Sequence, residues 1–131
     1  MKLVTYSDFL NLPDGTLYAE YKPTGNIGNL SIKRDTIIGV TGKPCDFRYS
    51  DLITIDYDDT EDFFTACERL EKGEETKLHF NTIQRHGIYE GLFLTFDTME
   101  IFNMAGLLGR ALLTQQQYEK TSTEAEKEPQ Q

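Results

Sequence analysis

Apolar and polar positions alternate with a period of two in parts of this chain and recur every three to four residues in others. The changes of period mark the elements. Near the start, Ser7 or Asp8 can cap a short helical turn carrying Phe9 and Leu10. Pro13-Asp14-Gly15 then makes a turn, because proline presets φ and Asp and Gly tolerate the conformations a tight turn demands. In TLYAEY, Leu17, Ala19 and Tyr21 alternate with Tyr18 and Glu20, which predicts a strand with one face inward. KPTGNIGN is a loop. NLSIKRDTIIGV follows as a strand with Leu30 and Ile32 on one face and a candidate turn at Arg34-Asp35, after which residues 36–40 continue the strand or pair back. TGKPC is another break, and DFRYSDLITIDY reads as the next strand, its apolar part being Leu52, Ile53 and Ile55.

The period then changes to that of a helix. Asp59 or Thr60 caps it, and Glu61 and Asp62 stand in the first turn, where the helix dipole favours acids. Phe63, Cys67 and Leu70 form one apolar stripe, Glu68 and Lys72 are spaced for an i,i+4 pair, and Gly73 is a natural C-cap. KLHFNTI alternates as a strand, QRHGIYEG is a turn-bearing link, and GLFLTFD is a strand with little exposed surface. Asp97 or Thr98 caps a last helix, in which Ile101, Met104 or Ala105, Leu108 and Leu112 repeat at helical spacing. Gly106 and Gly109 each weaken it by roughly 1 kcal/mol against alanine.

This order of elements predicts an α+β fold in a single domain over residues 1–118. A curved, mostly antiparallel sheet of SH3-like or open-barrel type carries a helix near 60–72 and a C-terminal helix near 98–118 packed on one side. Residues 119–131 are polar, contribute nothing to a core, and are expected to form a disordered tail. The length of 131 residues suits one core, and eight Phe and seven Tyr supply much of its apolar area. No run of about 18 apolar residues is present, so no membrane-spanning helix and no membrane partner are expected. The N-terminal stretch does not read as a secretory signal. Two lone cysteines, Cys45 and Cys67, fit free thiols in a reducing cytoplasm better than a disulfide framework.

Charge adds a direction to this picture. The net charge is −9, and residues 51–75 alone hold ten acids against two bases. The tail contributes −2, which leaves the rest of the chain at +1. A near-neutral body with one acidic side is a poor ligand for a phosphate backbone, so direct nucleic-acid binding is not expected.

Two residue sets are candidates for binding. The acidic set is Asp56, Asp58, Asp59, Glu61 and Asp62. It lacks the glycine and distal glutamate of a calcium loop, and acids gather at a helix start for dipole reasons alone, so no metal is assigned. The cationic and aromatic set is Arg34, Arg48, Arg85, His86 and Tyr89, which Lys33 and Lys43 can supplement if the fold gathers them around an anion. His79 and His86 are the only imidazoles, and seven residues with an intervening turn separate them. P-loop, G-x-S-x-G, H-E-x-x-H and C-x-x-C patterns are all missing. No catalytic residue and no cofactor is therefore assigned. Ala105, Gly106 and Gly109 put small residues on the last helix, where a second copy of the chain could approach and form a homodimer.

The runs YSDFLNLPDGTLY, LSIKRDT, DFRYSDLITID and RHGIYEGLF resemble a group of small phage and prophage proteins of unknown function with an FLxLPxGTxY opening. The resemblance spans residues 3–97 and leaves the C-terminal helix and tail outside it. It implies a small accessory gene product acting in the cytoplasm of a bacterial host cell. The function expected on these grounds is non-enzymatic: binding of a host or viral protein through the acidic face, as in host takeover or the blunting of a defence. The alternatives are a binder that sequesters an anionic, nucleotide-like ligand, and a small enzyme using the Arg85/His86 loop.

Overall fold

The computed structural model describes residues 1–54, 60–84 and 91–127, and the chain divides into two compact units, residues 1–95 and 96–131. The fold class is α+β, as expected. In the first unit lie strands β1 (Lys2–Thr5), β2 (Leu17–Lys22), β3 (Asn26–Ile27), β4 (Ser31–Ile38), β5 (Pro44–Asp51), β6 (Ile83–Gln84) and β7 (Leu92–Thr95). Helices α1 (Tyr6–Leu10) and α2 (Thr60–Glu71) belong to the same unit. The strands form one open sheet in the order β1-β7-β2-β4-β5-β6, with β3 paired to β2. Every pairing among the described residues is antiparallel.

The core is aromatic. Phe9, Tyr18, Phe47 and Phe93 are buried together with Leu10. The rings of Phe9 and Phe93 stack with centroids 4.3 Å apart, and Phe47 meets Phe9 edge-on at 4.9 Å. Five residues of α1 suffice to deliver Phe9 to the centre of this cluster, where each ring adds both buried area and favourable ring geometry.

Several expectations change. A strand precedes the helical turn that carries Phe9 and Leu10: β1 pairs with β7 from Lys2↔Thr95 to Thr5↔Leu92, and the turn itself is α1. The cap of α1 is consequently Thr5, whose hydroxyl accepts from the Asp8 amide at 3.2 Å, and neither Ser7 nor Asp8 fills that role. β2 turns Tyr18, not Leu17 and Tyr21, into the aromatic core, while Ala19 is buried on the opposite face. β4 runs unbroken through Arg34 and Asp35. β5 lies earlier than expected; Leu52 and Ile53 follow it, with Ile53 82% exposed, and Ile55 lies outside the described residues. The strand expected in KLHFNTI is reduced to the two residues of β6, Ile83 and Gln84, and a single bridge at Leu78. β7 matches its reading, with Phe93, Leu94 and Thr95 all buried between β1 and β2.

α2 ends as the position of Gly73 predicts. Gly73 adopts φ +85°, its amide donates to Leu70 O at 3.0 Å, and the Glu74 amide donates to Arg69 O at 2.9 Å. These two bonds close the helix C-terminus with a residue in the left-handed region. The ion pair formed there is Arg69–Glu74, with Nε–Oε2 at 2.9 Å, rather than Glu68–Lys72. The buried side of α2 is centred on Ala66, with Phe63 and Cys67 half-buried and Leu70 exposed.

The second unit is built on α3 (Thr98–Lys127). Asp97 caps it reciprocally: Asp97 Oδ1 accepts from the Glu100 amide at 2.8 Å, and Glu100 Oε1 accepts from the Asp97 amide at 3.0 Å. The helix runs nine residues past the expected end, so residues 119–127 are helical and not a disordered tail. Glu and Lys fill five of the nine positions of this extension and are good helix formers, and elongating an existing helix is far easier than nucleating one. The Gln115 amide bonds Glu119 Oε1 at 3.1 Å, and the Thr123 hydroxyl bonds Glu119 O at 2.8 Å, along the same stretch. Along the apolar stripe of this helix, Leu108 and Leu112 are 66% and 58% exposed. Among the described residues, no helix is long and apolar enough to cross a membrane.

Candidate functional site

The β4·β5 ladder gathers the charged side chains. Lys33 pairs with Tyr49 and Thr36 pairs with Phe47, so β4 advances three residues while β5 advances two. Arg34 and Asp35 therefore both stand opposite Arg48, which is a β-bulge. In a regular strand, residues three apart point to opposite faces. The extra residue brings Lys33 and Thr36 to the same face, the one that carries the aromatic core.

Lys33 is the unusual member. Its side chain is 1% exposed, yet among the described residues no carboxylate is in contact with its ammonium. Nζ donates to Thr36 Oγ1 at 2.6 Å and to Arg34 O at 3.1 Å, and the Thr36 hydroxyl donates onward to Leu10 O at 2.9 Å. Burial lowers the pKa of Lys33 from its ordinary 10.5, and the negative charges of Asp14 and Asp35 oppose that shift without cancelling it. The Lys33 backbone is held as well: its amide donates to Thr16 O at 2.8 Å and its carbonyl accepts from Gly15 at 2.7 Å. The turn PDGT is thereby fastened to the bulge strand, with Gly15 at φ +97° allowing its sharp reversal.

Around the bulge the cations meet acids. Arg48 forms an ion pair with Asp35 across the ladder. Arg34 Nε donates to the buried Ser50 hydroxyl at 3.2 Å, and its Nη1 lies 3.6 Å from Asp14 Oδ1. Exposed pairs of this kind add only about 0–1 kcal/mol each to stability. Their consequence for binding is larger. An anion arriving here must compete with two carboxylates already in place. Arg34 and Arg48 are the part of the cationic set that the structure brings together; Arg85, His86 and Tyr89 lie outside the described residues.

The acidic set is likewise divided. Asp56, Asp58 and Asp59 lie outside the described residues, while Glu61 and Asp62 are exposed on the first turn of α2. Glu68, Glu71, Glu74 and Glu75 are exposed as well, so α2 and its exit present a run of carboxylates facing water. Phe64 and Leu70, 60% and 43% exposed, lie among them. Asp51, the first acid of this segment, is engaged by the hydroxyls of Ser31 and Thr54. His79 Nδ1 accepts from the Asn81 amide at 3.2 Å, a local turn contact. KPTGNIGN is the β2–β3 hairpin, in which Tyr21 pairs with Ile27 and both Thr24 and Gly25 have positive φ. Both cysteines are free thiols, Cys45 exposed and Cys67 half-buried. Among the described residues, no cluster of three or more His, Cys, Asp or Glu is placed to hold a metal ion.

The buried lysine is what sequence reasoning missed. Lys33 looked like a surface cation available to a ligand, and only the bulge turns it inward. The single local signal was the polar pair Arg34-Asp35 interrupting an otherwise strand-like run. No family model, no curated protein and no solved structure matches this chain.

Proposed function

We propose that this chain is a non-enzymatic binding protein whose partner is another protein with a basic patch, met by the acidic surface of α2. The observation that carries this reading is a contrast in local charge. Arg34 and Arg48 face Asp14 and Asp35, whereas on α2 and its exit the exposed acids Glu61, Glu68, Glu71, Glu74 and Glu75 outnumber the bases Arg69 and Lys72. Exposed Phe64 and Leu70 supply apolar area inside that acidic field. Such a field steers association and selects among partners more than it adds raw affinity. In the setting that the N-terminal resemblance suggests, the chain is a phage or prophage accessory product and its partner a host or viral protein in a bacterial cytoplasm.

The test begins with a partner captured from a bacterial lysate and titrated against the purified chain in a calorimeter at two salt concentrations. Replacing Glu61, Asp62 and Glu68 together by Gln, Asn and Gln is expected to weaken binding at low salt and flatten its salt dependence. Unchanged binding by that variant removes the acidic face from the interface. A melting temperature raised by nucleotides, with no protein captured, would instead favour the sequestering of an anionic ligand.

A further inference from the structure

The acidic face of α2 has an aromatic ring at its centre. Phe64 follows Glu61 by three residues and precedes Glu68 and Glu71 by four and seven. Those intervals put all four side chains on one face of the helix. All four are exposed, Phe64 by 60%. Leu70 is not part of this group: four residues after the buried Ala66, it flanks the inward side of the helix. Half-buried Phe63 braces the ring of Phe64, with centroids 5.9 Å apart and planes at 66°. Among the described residues, none of the three glutamates takes part in an ion pair.

Local helix physics does not account for this arrangement. Glu61 stands in the first turn, where the helix dipole favours an acid, but Glu68 and Glu71 stand in the last turn, where it opposes one. Glu68 and Glu71 also repel each other across three residues. The exposed ring leaves apolar area in water.

Ring and carboxylates together select the chemistry of what docks there. An apolar side chain laid on Phe64 strips water from the carboxylates beside it and leaves them unpaired, which is costly. An ammonium pairs with a carboxylate, but it is a tightly hydrated point charge with no flat surface to lay on a ring. A guanidinium meets both demands. Its plane stacks on the aromatic face while its fork of N–H donors reaches the neighbouring carboxylates. From Glu61 to Glu71 the face runs about 15 Å along the helix axis, room for more than one such side chain.

We propose that α2 recognises an arginine-bearing segment of its partner, with a guanidinium stacked on Phe64 and bonded to Glu61 and Glu68. This inference rests on the acidic docking face proposed above and narrows the partner's patch from basic to arginine-bearing.

Fluorescence anisotropy of labelled hexa-arginine and hexa-lysine peptides, titrated with the full chain at one low salt concentration, tests this, with circular dichroism confirming the fold of each variant. The arginine peptide is expected to bind about tenfold more tightly than the lysine peptide. Phe64→Leu should cut that ratio to about threefold or less by weakening the arginine peptide alone, and Phe64→Tyr should keep it. Glu61→Gln, Glu68→Gln and Glu71→Gln combined should weaken both peptides. Equal affinities for the two peptides, or a ratio that Phe64→Leu leaves unchanged, overturn the arginine inference; if the glutamine variant is weakened in the same experiment, the acidic face still stands. Peptides that bind the glutamine variant as they bind the wild type overturn the acidic face itself, and the arginine inference with it.

Discussion

The ammonium of Lys33 lies 2.6 Å from the hydroxyl of Thr36, on the core side of β4, although three residues separate them along a strand. Only the bulge at Arg34 and Asp35 makes this contact possible, since without the extra residue one of the two would point away from the core. The hydroxyl has two duties. It accepts from the buried ammonium and donates to the carbonyl that ends α1. One side chain thus ties the bulge to the short helix that carries Phe9.

Removing that hydroxyl leaves a buried donor and a buried acceptor without their partner. Thr36→Val, which keeps the shape, is expected to destabilise the chain by about 1–3 kcal/mol. Thr36→Ser should retain most of the stability. Urea unfolding of the two variants beside the wild type measures the difference, and equal loss in both would make the methyl, not the hydroxyl, responsible.

Lys33 also predicts a dependence on pH. Its folded pKa is lowered from 10.5, chiefly by burial, so between the folded value and 10.5 the unfolded chain binds the extra proton. Stability then rises with pH across that window, and the cost of burying the charge is fully present below it. Lys33→Met should lose this rise. The comparison is unfolding free energy against pH from neutrality to about 10.5, wild type minus variant, and a flat difference would mean that Lys33 is as well solvated folded as unfolded.

Phe9 makes ring contacts with Tyr18, Phe47 and Phe93, all with centroids within 5 Å. Phe9→Ala should therefore cost about 3–5 kcal/mol, against a typical total stability of about 5–15 kcal/mol. Phe9→Leu should cost clearly less. Thermal melting ranks the three chains, and an alanine variant as stable as the wild type would show that α1 does not seal the core.

Gly73 holds φ +85° with open space where a Cβ would stand. Gly73→Ala is thus penalised by backbone conformation alone, at about 1–2 kcal/mol. Amide hydrogen exchange should report that penalty as faster exchange in the last turn of α2, with the sheet unaffected. Protection unchanged in that turn would place the end of α2 elsewhere.

Local signals survived folding where they were complete within a few residues. Gly73 after an apolar stripe, Asp97 ahead of the last helix and the turn at Pro13-Asp14-Gly15 all stand as their neighbours in sequence demand, because each is closed mainly by bonds to residues close by. The end of α3 was misread for the converse reason. A polar tail has no core to join, but helix propensity and i,i+4 contacts carry it to Lys127 without one.

The aromatic composition, the antiparallel α+β class and the acidic bias of residues 51–75 follow from the amino-acid sequence by itself. The tertiary structure alone decided the rest. β1 was illegible because its partner lies about ninety residues away, and four residues of KLVT carry no strand signal until β7 accepts them. The inward turn of Lys33 and the pairing of Arg34 and Arg48 with Asp14 and Asp35 depend on register between strands. A bulge changes that register by one residue and reverses which side chains meet the core, and no pattern read along a single strand contains that information.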